Sequence, residues 1–491
     1  MWVRIRTYGQ PVVADEMSTL YLVRTNGFQG VIEFVRGDAE ISPPLYFLLA
    51  WLATKLGSAP ELIRLPSIVF ALATLPVYFL LGQKLFNRQA AILATTIAAL
   101  SPMLVYLAGY GRSYSVMFFF LALSTLAMLY ATGSGRTRWW VVYAVSSAAV
   151  MYTHYTGAFV LVAQLVWLLA YSKEDRVKAL LANAGAVLLY IPWIPGYLAD
   201  SDSPTTKILE ALQGYGFEAK RTAVEQMLFW KASAEPWTVN RLDVFLVTGA
   251  AVVAVIAAIS ILHRRRALGA WLKNPGQNVV LVTLLILATP VGALLLNVVS
   301  TDVFGTRNLA ASWIGIPLAL GALLVAAGRV WGSIATVLVV LGMGLGSVAV
   351  ADPDRSAVRF DDAAEYIESA AKPGDAVVNR AHLTPVPLTP LDAYLDLGPG
   401  IGEYQLGLPV SEPPFLPTSV DLPDPQAELD KALSGRDRIY FVTFGTQAPP
   451  EPGVPFEVAG KQAVIPRDWK VVSHWTEEGI FPITVTVLER K

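Results

Sequence analysis

The chain is 491 residues long, 54% hydrophobic and only 15% charged, with a formal net charge of −1 and no cysteine. A soluble protein carries about a quarter of its residues as charges, so this composition excludes an ordinary soluble enzyme and points to an integral membrane protein. Near-neutral charge leaves no basic field for nucleic acid, and the lack of cysteine excludes disulfides and thiolate metal sites.

In chain order, the first candidate is the acidic pair Asp15-Glu16. Nothing like a basic start followed by an apolar core precedes it, so no signal peptide is read there. A carboxylate beside an apolar bundle is costly to keep and is a functional candidate by default. In that role it is a general base, taking the proton from a hydroxyl as its oxygen attacks a sugar carbon. A solvated loop or a helix N-cap uses the same residues.

Glu40-Ile41-Ser42-Pro43-Pro44-Leu45-Tyr46 follows. Its two prolines fix the backbone and suit the start of a helix, with Glu40 and Tyr46 expected on the cleft of Asp15. A plain helix start with an interfacial tyrosine is the alternative. The apolar run 43–57 falls short of the roughly 17–25 residues a crossing needs, so it is expected to be interfacial or re-entrant. That leaves the N-terminal segment outside with no span before it, and the expectation is that a first helix is missing from the chain.

Windows of about 20 apolar residues then place spans at 63–84, 90–107, 113–131, 138–154, 157–171, 178–198, 241–262, 277–299, 309–327 and 330–350. Alternate loops differ in basic residues. One set holds Lys84, Arg88, Arg136, Arg138, Lys173, Arg176, Lys178, Arg264, Arg265, Arg266, Lys273 and Arg329; the other short loops hold only Arg112 and Arg307. Positive charge marks the cytoplasmic side, which puts the N-terminal segment, the loop 199–240 and the C-terminal region outside.

Arg64 in RLPS, Arg112 in GYGRSY and Arg307 in FGTRNL therefore lie on the side that otherwise avoids basic residues. Guanidinium forks bind phosphate bidentately, and a lipid phosphate sits at that depth; snorkelling to ordinary headgroups is the competing explanation. His154 in YTHYTG stands at an outer boundary among Tyr106, Tyr110, Tyr152 and Tyr155. The rings form an aromatic belt that also suits sugar packing, and the histidine either touches substrate or is a satisfied interfacial residue. A metal claim on one histidine is weak; a divalent metal is left open and no cofactor is assigned.

After Val350 charges become frequent, and the region is long enough for one small domain. FDDAAEYIESAAKPGD reads as an amphipathic helix ended by Pro373-Gly374, and strands are expected at 376–378, 438–444, 470–475 and 483–489. SEPPFLPTSVDLPDP and APPEPGVP read as connections. No phosphate-cradling Gly-rich loop occurs, so a cytoplasmic nucleotide-sugar site has no support and any donor is expected to be lipid-borne.

The ordered motifs Asp-Glu, SPPLYFLL, RLPS, LFNRQAAILA, SPMLVYLAGYGRSYS and YTHYTGAFVL resemble the polytopic GT-C glycosyltransferases of the protein O-mannosyltransferase and lipid A aminoarabinose transferase superfamily. The similarity covers residues 12–172 and, more loosely, Arg307 and the tail. It implies an inverting transfer of a sugar from a polyprenyl-phosphate carrier to an acceptor hydroxyl on protein, lipid or glycan, outside the plasma membrane. Asp15 matches that family's catalytic carboxylate and Glu16 its neighbour. Glu40 falls where related enzymes have an acidic residue before the proline motif, and Arg64 and Arg307 match recurrent arginines, Arg307 toward the carrier phosphate; Tyr46, Tyr110, Arg112 and His154 join them on the substrate side from their own chemistry and place in the chain. The chain departs in three places: the family's first transmembrane helix is not expected before Asp15, Ser42 replaces the histidine of an HPP motif, and Gly109-Tyr110-Gly111-Arg112 stands where many relatives carry Gln-Glu-Ala-Arg. One carboxylate suffices, because a phosphate monoester leaves as an anion without a proton donor.

The expected architecture is mainly α, a polytopic GT-C-like transmembrane bundle. Residues 1–62 form an outer segment, 63–350 about ten spans and 351–491 an extracytoplasmic α/β domain. A lipid-linked oligosaccharide ligase is the second reading and rests on Lys207, Lys220, Arg221 or Lys231 in the loop 199–240. A transporter is the third, and it expects paired halves and mid-membrane charge that this sequence lacks.

Overall fold

A computed structural model describes the chain except residues 1, 13–14, 38–39, 204–215, 230–241, 266–268, 270–275, 300–301, 353–357, 381–387, 407–423, 459 and 479–480. Lys207, Lys231, Arg266, Lys273 and most of SEPPFLPTSVDLPDP lie outside the described residues. Two compact units emerge: Met1–Tyr8, Phe28–Ala53 and Arg64–Ala351 form the first, and Gly9–Gly27, Thr54–Ile63 and Asp352–Lys491 the second. The N-terminal 62 residues are thus shared between the units, where the sequence suggested one outer segment.

The first unit is helical. Among the described residues seven helices are long and apolar enough to cross a membrane, and the chain is a multi-pass membrane protein. The expected ten spans shrink for identifiable reasons. The segment 90–107 is the pair Arg88–Leu100 and Pro102–Ala108, bent by 59°, which makes eight if counted as one. Pro102 cannot donate to the preceding turn, and Ser101 Oγ caps the new helix by accepting from the Leu104 amide at 3.3 Å. The spans expected at 138–154 and 157–171 become Thr137–Met151 and Gly157–Tyr171, 15 residues each, about 22 Å of helix against a core of about 30 Å. The run 43–57 becomes the short apolar helix Leu45–Leu56, as its length foretold.

Close packing rests on small residues, as lipid-embedded helices require. A Cβ on Gly82 would meet Ala91 Cα at 2.8 Å, and one on Gly321 would meet the Ala90 carbonyl oxygen at 2.6 Å. Glycine at these points lets Arg88–Leu100 sit against both Leu65–Leu85 and Ile316–Ala326. Polar groups inside are satisfied between helices: Gln164 Nε2 donates to Ser124 Oγ at 3.0 Å and Thr125 Oγ1 at 2.9 Å, and Trp313 Nε1 donates to the Met227 carbonyl at 2.8 Å.

The second unit holds a five-stranded sheet ordered β2-β1-β3-β7-β6, with strands β1 (Ala376–Asn379), β2 (Gly402–Gln405), β3 (Arg438–Phe444), β6 (Trp469–Glu477) and β7 (Ile483–Arg490), beside a hairpin of β4 (Pro455–Val458) and β5 (Lys461–Val464). Strand β1 is parallel to β2 and β3, while β3, β7 and β6 are antiparallel. Alternation along each strand feeds two cores. Val377, Tyr440 and Val485 pack with Phe360 and Ile367 of helix Phe360–Ala370. Ala376, Val378, Phe441 and Leu488 pack with Leu429 and Leu433 of helix Pro425–Leu433. The four strands and the first helix foreseen from sequence are present; β2, β4, β5 and helix Pro425–Leu433 were not foreseen.

Helix Asp15–Thr25 belongs to this second unit. Tyr394 supplies a physical reason: its hydroxyl accepts from the Val12 amide at 2.6 Å and donates to Glu61 Oε1 at 2.9 Å.

Candidate functional site

The turn 109–113, between helices Pro102–Ala108 and Tyr114–Ser134, organises the site of the membrane unit. Gly109 permits it: a Cβ there would meet the Thr7 side chain at 2.4 Å. Ser67 Oγ lies 2.8 Å from the Tyr110 carbonyl, 3.2 Å from that of Arg112 and 3.1 Å from the Tyr46 hydroxyl. Tyr46 is thereby a buried strut behind the turn. The proline motif is fixed on another side, where the Leu45 amide donates to the Tyr152 carbonyl at 3.0 Å.

Arg112 leaves this turn to meet Glu40. Its Nη1 and Nη2 donate to Oε2 and Oε1 at 2.7 and 2.8 Å, a bidentate pair with little exposure on either side, and its Cζ stands 5.6 Å from the Phe47 ring centre. Such a pair holds its partners in one geometry and partly neutralises the fork. Arg307 arrives from a distant segment. Its Nη1 donates to the Tyr110 hydroxyl at 2.9 Å, with Cζ 5.9 Å from that ring, and Tyr110 stacks on Tyr106 at 5.1 Å.

His154 completes the group, its ring 5.1 Å from Tyr114 and its Nδ1 2.9 Å from Thr156 Oγ1. Burial, with the positive charges of Arg112 and Arg307 behind it, pulls its imidazole down to about 4. It is neutral at pH 7.

Arg64 goes elsewhere. It is buried, and its Nη1 donates to the Tyr8 carbonyl at 2.9 Å and to that of Thr7 at 3.5 Å, closing the N-terminal helix Trp2–Tyr8 against the bundle. Asp15 and Glu16 open helix Asp15–Thr25 of the second unit, Asp15 half-buried and Glu16 buried. The first turn of a helix favours negative charge.

Two acids escaped sequence reasoning. Asp302 is buried, binds Lys220 Nζ at 2.6 Å and accepts from the Phe304 amide at 3.0 Å, bracing the segment that carries Arg307. Asp200 is buried, accepts from the Tyr155 hydroxyl, and that hydroxyl accepts in turn from Trp193 Nε1 at 3.2 Å. Both sit at the ends of apolar runs, which was the available signal. Among the described residues no three His, Asp or Glu side chains gather as metal ligands.

Residues 42–196 match the sequence family described as dolichyl-phosphate-mannose-protein mannosyltransferase. No curated protein matches the chain by sequence. The chain superimposes on the crystal structure of ArnT from Cupriavidus metallidurans in the apo state with a TM-score of 0.52 and 13% identity, over 99% of this chain and 96% of that one. The same protein bound to undecaprenyl phosphate gives 0.51 and 12%, over 99% and 95%. The chain has the fold of the GT-C glycosyltransferases.

Proposed function

We propose that this chain is a membrane glycosyltransferase that moves a sugar from a polyprenyl-phosphate carrier to an acceptor hydroxyl on the extracytoplasmic side, with inversion. The observation that carries this reading is the convergence of Arg307 on Tyr110, beside the Arg112–Glu40 pair; Tyr110 and Arg112 lie within the residues 42–196 that match the mannosyltransferase family. The carrier seen in the similarly folded ArnT supports the donor class.

In the reaction the Arg307 fork meets the carrier phosphate, and Tyr110 holds that fork in place. Arg112 adds positive field but stays bound to Glu40. Asp15 takes the acceptor proton as the acceptor oxygen bonds to the anomeric carbon. The bond from that carbon to the phosphate oxygen breaks, and the polyprenyl phosphate leaves with the electron pair. The arginines stabilise that anion, so no second acid is needed. Neutral His154 is suited to hydrogen bonding with sugar hydroxyls rather than to adding charge. The distribution of basic loops supports an extracytoplasmic site in the plasma membrane.

The ligase reading has less to stand on. Lys220 is paired with Asp302, and Arg221 with Glu218 and Glu225 of its own helix.

The test is mass spectrometry of products after purified protein is offered several polyprenyl-phosphate sugars with peptide, lipid and glycan acceptors. A sugar-bearing acceptor formed by the wild type and not by Asp15→Asn is expected. Equal product from both removes the assigned base.

A further inference from the structure

We infer that Tyr394, in the C-terminal part of the second unit, is a positioning residue for Asp15. The inference rests on the reading of Asp15 as the general base and gives the C-terminal region a part in the reaction.

Tyr394 belongs to the turn after β1, and its hydroxyl sits between two segments remote in sequence. It accepts the Val12 N–H at 2.6 Å, across 382 positions, and donates to Glu61 Oε1 at 2.9 Å, across 333. Val12 is fully buried and lies three residues before Asp15, so its amide has no water to turn to. The far end of helix Asp15–Thr25 is tied to the same neighbourhood. Arg24 Nη2 donates to the Ser58 carbonyl at 2.9 Å, and the guanidinium is within the field of both Glu61 and Tyr394. The Tyr394 phenol thus holds the approach to the helix, and the Ser58 carbonyl holds its exit.

Apolar packing alone would be served by phenylalanine. The hydroxyl is what links the Val12 amide to Glu61, and an acceptor that is charged strengthens the chain of bonds. A general base works only when its oxygen stands within hydrogen-bond reach of the proton it removes, and a displacement of about 1 Å costs around 10²-fold. Loss of the link is therefore expected in the turnover number and not in the affinity for a donor held by arginines of the first unit.

The test compares Tyr394→Phe, Glu61→Ala, Glu61→Gln and Asp15→Asn with the wild type in lipid nanodiscs, using polyprenyl-phosphate mannose and a serine-containing peptide. Hydrogen exchange of the peptide containing Val12 is followed alongside. Tyr394→Phe and Glu61→Ala are expected to lower kcat about 10- to 100-fold at unchanged donor KM and to speed exchange at Val12, with the sheet strands still protected. Glu61→Gln keeps an acceptor oxygen and is expected to stay near wild type, and the double variant Tyr394→Phe/Glu61→Ala to be no worse than either single change. Wild-type kcat or unchanged Val12 exchange in Tyr394→Phe overturns the inference. If that happens while Asp15→Asn is inactive, only the positioning role falls; an active Asp15→Asn removes the base and the positioning role together.

Discussion

Glu40 and Arg112, 72 positions apart, face each other through two parallel hydrogen bonds of 2.7 and 2.8 Å. This pair decides how the site's charges are used. A cation that from its place in the chain looks available to a phosphate is already held by a carboxylate, and the neighbouring Arg307 is held by a phenol instead.

Breaking one side of that pair leaves a charge stranded in a poorly hydrated place. Glu40→Ala and Arg112→Ala are each expected to cost about 3–5 kcal/mol of stability, with the double variant less destabilised than the sum. A double-mutant cycle by thermal unfolding in detergent measures this, and additive losses would show that the two side chains do not act as a unit.

Removing the base should be felt in turnover and not in folding. Asp15→Asn is expected to slow transfer by about 10²–10⁴-fold while the melting temperature stays within a few degrees of wild type. Initial rates of product formation beside a melting curve decide it.

Arg307→Ala should act on the donor. The loss of one hydrogen bond to a charged group is worth about 1.5–3 kcal/mol, an increase of roughly 10- to 150-fold in the donor's KM or Kd. Arg307→Lys is expected to recover only part of this, since a point charge cannot present a fork. Tyr110→Phe, which removes the 2.9 Å bond to Arg307, should show a smaller shift in the same direction. Titration with a labelled polyprenyl phosphate tests all three.

His154 should leave a signature in the pH dependence of stability. Its folded value, about 4, lies below the ordinary 6.5, so the unfolded chain takes up the proton first as pH falls. The contribution of the neutral ring is complete above pH 6.5 and is lost progressively on the way to pH 4. His154→Gln is expected to flatten that part of the unfolding-midpoint profile. Transfer measured between about pH 6.5 and 8 should show no inflection owed to His154, because the ring stays neutral there.

What could be read from the sequence was what depends on neighbours along the chain. Long apolar stretches with few charges report a membrane bundle, since burying charge in lipid is costly. Runs such as RIYFVTF and ITVTVLE, at 438–444 and 483–489, report strands because their branched and aromatic side chains suit a pleated, buried surface. The same locality let the shortness of 43–57 be judged correctly. It failed for 90–107, where hydropathy runs on across a proline that bends the helix by 59°.

Which cation serves which partner was settled only by the folded chain. Arg64, Arg112 and Arg307 look alike in sequence, yet one holds backbone carbonyls, one a carboxylate and one a tyrosine. The placing of the Asp15 helix with the C-terminal unit likewise depends on Tyr394 reaching back across 382 positions. Side-chain hydrogen bonds and ion pairs act over about 3 Å, and the chain brings such distances about between residues hundreds apart only by packing. Local composition therefore determined what kind of protein this is, and tertiary packing decided which of its groups stand ready for chemistry.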